Sequence, residues 1–214
     1  SCLAYLHGLS DSKGLPLIVT LGGTGLYTTG NSVEKNPVLQ TVIEQHKAVA
    51  VSIDKPGIAF SEASSEQFTI NDSVYNQHTQ QDIIQCVVNA IEWVSTKTRF
   101  SSTSADIYFL GHSEGTQIAV RAYHEIMRKS PGVAKRVKAL FLSGLVMQSW
   151  SDIINQQITD PVENKKFWDA YKHQDDTALR SFGDLAYAYW ADILSTESNF
   201  ETLKTLVQTQ PLPV

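Results

Sequence analysis

This sequence predicts an α/β fold with a mostly parallel sheet flanked by helices, and three observations carry that expectation. Short β-branched apolar runs recur along the first two thirds of the chain. Between them lie segments whose apolar residues repeat at helical spacing. Glycine or aspartate closes the first runs where the chain must turn. Continuous apolar strands alternating with amphipathic helices are the pattern of parallel strands buried on both faces.

Leu15 to Leu21 (LPLIVTL) is the first such run, and it enters a glycine loop, Gly22, Gly23, Thr24, Gly25. Pro37 to His46 places Val38, Val42 and Ile43 at helical spacing, and Ala48 to Ile53 (AVAVSI) forms the next strand, ending at Asp54. Strand, helix and strand make one crossover unit. Gln80 to Val94 carries Ile83, Ile84, Val87, Val88, Ile91 and Val94 as a single apolar stripe and leads to a strand over Asp106 to Leu110. Thr116 to Met127 reads as a helix with Ile118, Ala119, Ala122, Tyr123 and Ile126 on one side, and Val137 to Leu142 (VKALFL) as the next strand. Ser61 to Ser65 and Ser101 to Ser104 read as surface loops.

After Gly144 the pattern changes. Trp150 to Gln210 offers no strand, only short helix-like segments rich in Trp150, Phe167, Trp168, Tyr171, Tyr187, Tyr189 and Trp190. The expected organisation is therefore a core over 1–147 and a helical cap insertion over 148–210, lying at the sheet edge where ligands bind in open α/β folds. Residues 211–214 are expected to start a further core strand.

Composition narrows the function classes. The net charge is −5 and 18% of residues are charged, with no basic stripe to neutralise a phosphate backbone, so nucleic acid is excluded as the expected partner. No apolar run reaches the roughly 18 to 20 residues that a membrane span needs. Cys2 and Cys86 are the only cysteines and are read as too few and too far apart for a disulfide framework, with Cys86 expected to be a buried small hydrophobe. No metal is expected, since neither HExxH nor CxxC occurs. The compartment is not legible.

The chemistry concentrates at Gly111, His112, Ser113, Glu114, Gly115. This GxSxG pentapeptide sits between an apolar strand and a helix, the sequence form of a nucleophile elbow, in which glycines relieve crowding where a strand turns sharply around an exposed serine. Three loops, Gly22 to Gly25, Asp54 to Ser61 and the elbow, then fall at the carboxyl ends of parallel strands, where sites assemble in such sheets. A phosphate-cradling reading of the glycine loop is weaker, because no GxGxxG spacing occurs and no lysine follows. His112 is expected to pack beneath the elbow, Glu114 to complement the helix dipole, and Asp54 to fix the loop that follows it.

Together the GHSEG elbow, the DKPGIAFS segment at 54–61 and the GGTGLYTTGN segment at 22–31 resemble the α/β-hydrolases. The match is nearest to the esterase and serine-aminopeptidase-like group, with its GSGPxDRDGN-type loop, DxRGxGxS segment and GHSEG. The resemblance runs from about Leu15 to about Leu142. It implies a serine hydrolase acting without a cofactor on an ester, thioester or amide of a small molecule or short peptide, with Ser113 as nucleophile. It also implies an oxyanion hole formed by the backbone N–H of Glu114 and that of Gly23, with Thr24 next in line. The chain departs from the pattern at Tyr27, Thr28 and Thr29, which replace a charged triplet, and at Pro56, Ala59 and Phe60, which replace an arginine and glycines.

The resemblance also implies an acid and a histidine after further strands, in the order serine, acid, histidine. The core is thus expected to be truncated after its sixth strand, with acid and base encoded beyond Val214. His124, about three turns after Ser113, is too far along its helix to serve it. Asp169 and His173, four residues apart, form an improvised alternative on one helix face. The competing expectation is a noncatalytic hydrolase-like binding or interaction module. Either way the strand at Val137 to Leu142 is expected to need a continuation of the chain, a second chain or a homodimer to cover its edge.

Overall fold

The computed structural model describes residues 2–8, 14–26, 28–29, 33, 35–60, 68–97, 105–196, 201, 205 and 208. The strands are β1 (Ala4–His7), β2 (Leu17–Leu21), β3 (Val49–Ile53), β4 (Ile58–Phe60), β5 (Phe68–Ile70), β6 (Ile107–His112) and β7 (Val137–Ser143). The helices are α1 (Pro37–His46), α2 (Asp72–Tyr75), α3 (Gln80–Lys97), α4 (Glu114–Lys129), α5 (Pro131–Ala134), α6 (Trp150–Gln157), α7 (Pro161–His173), α8 (Asp176–Arg180) and α9 (Tyr187–Ser195). The two serine loops at 61–65 and 101–104, Tyr27 and the 211–214 segment lie outside the described residues.

The main sheet has the order β1-β3-β2-β6-β7, and β4 and β5 form a separate antiparallel pair. Pairings β2 with β3, β2 with β6 and β6 with β7 are parallel, while β1 runs antiparallel to β3. This is the expected mostly parallel sheet with helices around it, five strands wide among the described residues. From β2 the chain moves to β3 on one side and then crosses back to β6 on the other, so the order reverses at β2. That reversal opens a crevice at the carboxyl ends of β2 and β6.

Local signals set the helix boundaries. Asn36 caps α1 by accepting from Val38 N–H and Leu39 N–H at 3.1 Å each, with Pro37 at the first helical position. All six residues of the α3 stripe are buried at 4% exposure or less. They share one core cluster with Val19, Val51, Ile107, Phe109, Ala119, Ala122 and Ile126. Helix α4 is buried well beyond its expected face, from Glu114 through Val120 as well as at Ala122, Tyr123 and Ile126. Its second side carries polar and small residues that meet the helices following β7, as Gln117 does by accepting from Trp150 Nε1–H at 3.0 Å.

The two faces of the sheet are covered unequally among the described residues, where a sheet covered on both faces was expected. Leu17, Val19 and Leu21 are buried, whereas Ile18 and Thr20 between them are only half-buried. Beside α1 that second face forms an apolar groove of about 410 Å³ lined by Ile18, Val38, Val42, Tyr108, Leu110 and Phe141. Phe141 is 56% exposed and Val38 74%. β7 ends the sheet with no described strand beyond it.

Two expectations are corrected here. Strand β1 was not foreseen, because four residues with neither face fully buried leave no apolar run to read. Cys2 and Cys86 form a disulfide, so Cys86 is not a free apolar residue. Their separation of 84 residues is bridged because β1 pairs with β3 and α3 packs against β3, which brings the two Cα atoms to 6.0 Å. Closing so long a loop removes chain entropy from the unfolded state, worth roughly 4 kcal/mol. A Cys2→Ser, Cys86→Ser double variant should therefore show a lower urea midpoint, and thiol titration of the denatured wild type should find two thiols only after reduction. An unchanged midpoint would contradict this bracing.

Candidate active site

Ser113 occupies the turn between β6 and α4 with φ 53 and ψ −121. A positive φ is costly for a residue with a side chain and persists only where its surroundings enforce it. Three contacts do so. Ser113 N–H donates to Ser143 O at 2.9 Å, tying the turn to the end of β7. Its carbonyl accepts from Thr116 N–H at 2.9 Å and Thr116 Oγ1–H at 2.6 Å. The two glycines let the strand and helix backbones close on each other: a β-carbon at Gly111 would lie 2.6 Å from Gly115 O, and one at Gly115 would lie 2.2 Å from Leu21 O.

Gly115→Ala must push α4 away from β2 to relieve that overlap. It is expected to cost about 3 kcal/mol, as overpacking in a closed interior does, read as a drop in the urea midpoint. A midpoint within error of the wild type would mean that the helix does not sit where described.

The glycine loop meets the serine from the side of β2. A β-carbon at Gly23 would stand 3.2 Å from Ser113 Cβ and 3.5 Å from its Oγ, so the loop backbone passes directly beside the serine side chain. Thr24 is exposed one residue further on. Glu114 is the first residue of α4, where backbone N–H groups have no intrahelical acceptor, and Ser113 makes no side-chain cap. The Glu114 side chain is fully buried, and its carboxylate accepts from Lys55 Nζ at 3.3 Å and Gln80 Nε2 at 3.4 Å. It is thus held in an ion pair as well as placed at the helix start.

Asp54 is fully buried at the end of β3. It accepts from Thr29 N–H and from Thr29 Oγ1–H at 2.9 Å, Thr28 Oγ1–H at 2.9 Å and Tyr5 Oη–H at 2.8 Å. The expectation that Asp54 fixes the loop following it is corrected: it binds the continuation of the glycine loop directly. Among the described residues it reaches the following segment through Tyr5, whose Oη accepts from Phe60 N–H at 2.9 Å.

Burial, together with the Asp54 carboxylate and against the Phe60 N–H, pushes the Tyr5 hydroxyl up to about 12 from 10.0. A phenol held neutral in the fold contributes stability that is complete below pH 10 and lost as pH rises toward 12. The stability advantage of wild type over Tyr5→Phe should shrink over that interval in urea titrations. A constant difference would refute the arrangement.

The histidines resolve differently from expectation. His112 is exposed and lines a cavity of about 160 Å³ with Gly22, Asn36 and Leu39, because it leaves the strand on the less covered face. It does not pack beneath the elbow. His124 is exposed on α4. The Asp169 and His173 alternative also fails: His173 Nδ1 is 2.7 Å from the Asp169 backbone carbonyl, while the carboxylate pairs with Lys165. Among the described residues no histidine hydrogen-bonds Ser113 Oγ. Lys55, Tyr5 and Gln80 were not singled out from the sequence. The available signal at Lys55 was a cation next to Asp54 at the end of a mostly apolar strand.

No family model and no curated protein sequence matches this chain. Among solved structures, the mature lipase BlEst2 of Bacillus licheniformis superposes with a TM-score of 0.51 at 11% identity, over 100% of this chain and 66% of that one. The α/β-hydrolase enzyme MGS-M2 from a Medee basin deep-sea metagenome library gives a TM-score of 0.44 at 14% identity, over 99% of this chain and 69% of that one. The fold is that of the α/β-hydrolases. The chain spans about half to two thirds of the length of the solved structures it matches.

Proposed function

We propose that the chain carries the nucleophile of a serine hydrolase that cleaves an ester, thioester or amide of a small molecule or short peptide. The observation that carries this reading is the strained Ser113 at the tip of β6 with the Gly23 backbone against its hydroxyl. In the reaction, Ser113 Oγ gives its proton to a base as it bonds to the carbonyl carbon, and the tetrahedral oxyanion collapses. The bond to the leaving alcohol, thiol or amine breaks and the leaving group takes a proton. Water then repeats the sequence on the acyl-enzyme and frees Ser113. Glu114 N–H and Gly23 N–H are the proposed oxyanion donors, Thr24 N–H the next nearest, and loss of one such donor typically costs about 3 kcal/mol of barrier. The helices after β7 form the proposed cap. The disulfide favours an oxidising compartment.

A fluorophosphonate probe applied to the folded full-length protein should label Ser113, seen as a mass shift on its tryptic peptide, and Ser113→Ala should abolish both labelling and hydrolysis of p-nitrophenyl acetate. Absence of label on the folded protein overturns the proposal. The second reading, a noncatalytic hydrolase-like module, draws on the lack of a described histidine bonded to Ser113. Slow ester hydrolysis that Ser113→Ala leaves unchanged would favour it.

A further inference from the structure

Lys55 follows Asp54 at the carboxyl end of β3 and reaches both of the other loops at this edge of the sheet. Its Nζ lies 3.2 Å from Gly25 O in the glycine loop and 3.3 Å from Glu114 Oε2 at the start of α4. Both side chains are out of solvent, at 8% and 0% exposure. The second oxygen of Glu114 is taken by Gln80, whose own oxygen accepts from Arg121 at 3.0 Å, so the carboxylate is fixed on two sides. The Tyr189 ring of α9 stands 5.8 Å from the ammonium.

A buried ion pair of this kind loses hydration on both partners and gains little net stability over an apolar pair, so its value lies in the geometry it enforces. The geometry here is specific. Gly23 and Glu114 sit on separate elements, one after β2 and the other after β6. Below the site those elements are joined by the parallel pairing of β2 with β6, ending at Leu21 and Gly111. Above it, Lys55 joins them through Gly25 and Glu114. Asp54 grips the same loop further along, at Thr28 and Thr29.

We infer that Lys55 is a positioning residue that sets the spacing between the two backbone donors of the oxyanion hole. This rests on the reading of Ser113 as nucleophile. A group that fixes donor spacing acts where charge develops, in the tetrahedral state, and not on ground-state binding. Small misplacement of such donors is costly to rate because their hydrogen bonds are short and directional.

The test uses the full-length protein, with p-nitrophenyl acetate as substrate and benzeneboronic acid as the tetrahedral-adduct probe. Lys55→Met should lower kcat by about tenfold to a hundredfold, leave KM within about twofold, and weaken benzeneboronic acid by a factor like that on kcat. Lys55→Arg, which keeps the charge and a donor, should recover part of the rate. Because Lys55→Met strands a buried carboxylate and can unfold, Lys55→Met with Glu114→Leu removes both charges. That double variant should fold with a near wild-type urea midpoint and still show the low kcat. Wild-type kcat in a folded double variant, or a change confined to KM, overturns the inference while leaving the nucleophile assignment intact. A wild-type protein whose Ser113 resists fluorophosphonate sinks both.

Discussion

The first turn of α4 touches the end of β2, and the rest of the site hangs on that contact. With Gly115 against Leu21 O and Gly111 against Gly115 O, helix and strand backbones come closer than any side chain would allow. The chain can then reverse direction over the single residue Ser113 at positive φ. Moving the helix outward by the width of a methyl group would relax the turn, turn the serine hydroxyl away from the loop after β2, and separate Glu114 from the residues that pair with it. The crevice created by the reversal of strand order at β2 is therefore approached by backbone on both sides, an arrangement that suits the proposed oxyanion donors.

Charge is used sparingly around this contact, and each buried charge joins segments far apart in sequence. Asp54 collects Tyr5 from β1 and Thr28 and Thr29 from the glycine loop. Lys55 collects Gly25 and Glu114. Two adjacent residues of opposite sign thus hold the same loop at two points, each satisfied by several partners, as buried ionised groups must be. The network extends outward through Gln80, Gln117 and Trp150, so the helices after β7 are joined to the start of α4 by hydrogen bonds as well as by apolar packing. His78 belongs to this surround, between the Tyr75 and Tyr189 rings, and burial holds it below the ordinary imidazole range.

Most of the parallel core was legible because its signals are local. The α3 stripe, the run into Gly22 and the apolar spacing of α1 state their structure within a few residues. The turn from β6 to α4 at Ser113 was legible for the same reason, since glycines flanking a serine between strand and helix are a contiguous pattern. The short elements were not: β1, β4 and β5 have three or four residues each, too few for a period to show. The disulfide and the partners of Asp54 and Lys55 were not legible either, because each depends on which strands become neighbours.

The sequence by itself determined the alternation of strand and helix, the place of the three loops at one sheet edge and the serine at the turn into α4, because hydrophobic period and glycine placement act over a few residues. Only the tertiary structure decided what surrounds that serine. Pairing of β1 with β3 delivered Tyr5 to Asp54 and Cys2 to Cys86, and the crossing from β3 to β6 set Lys55 between the glycine loop and Glu114. The physical reason is that burial forces charges and thiols to find partners wherever the sheet order brings them. That order is fixed by the packing of the whole core and not by any one segment of it.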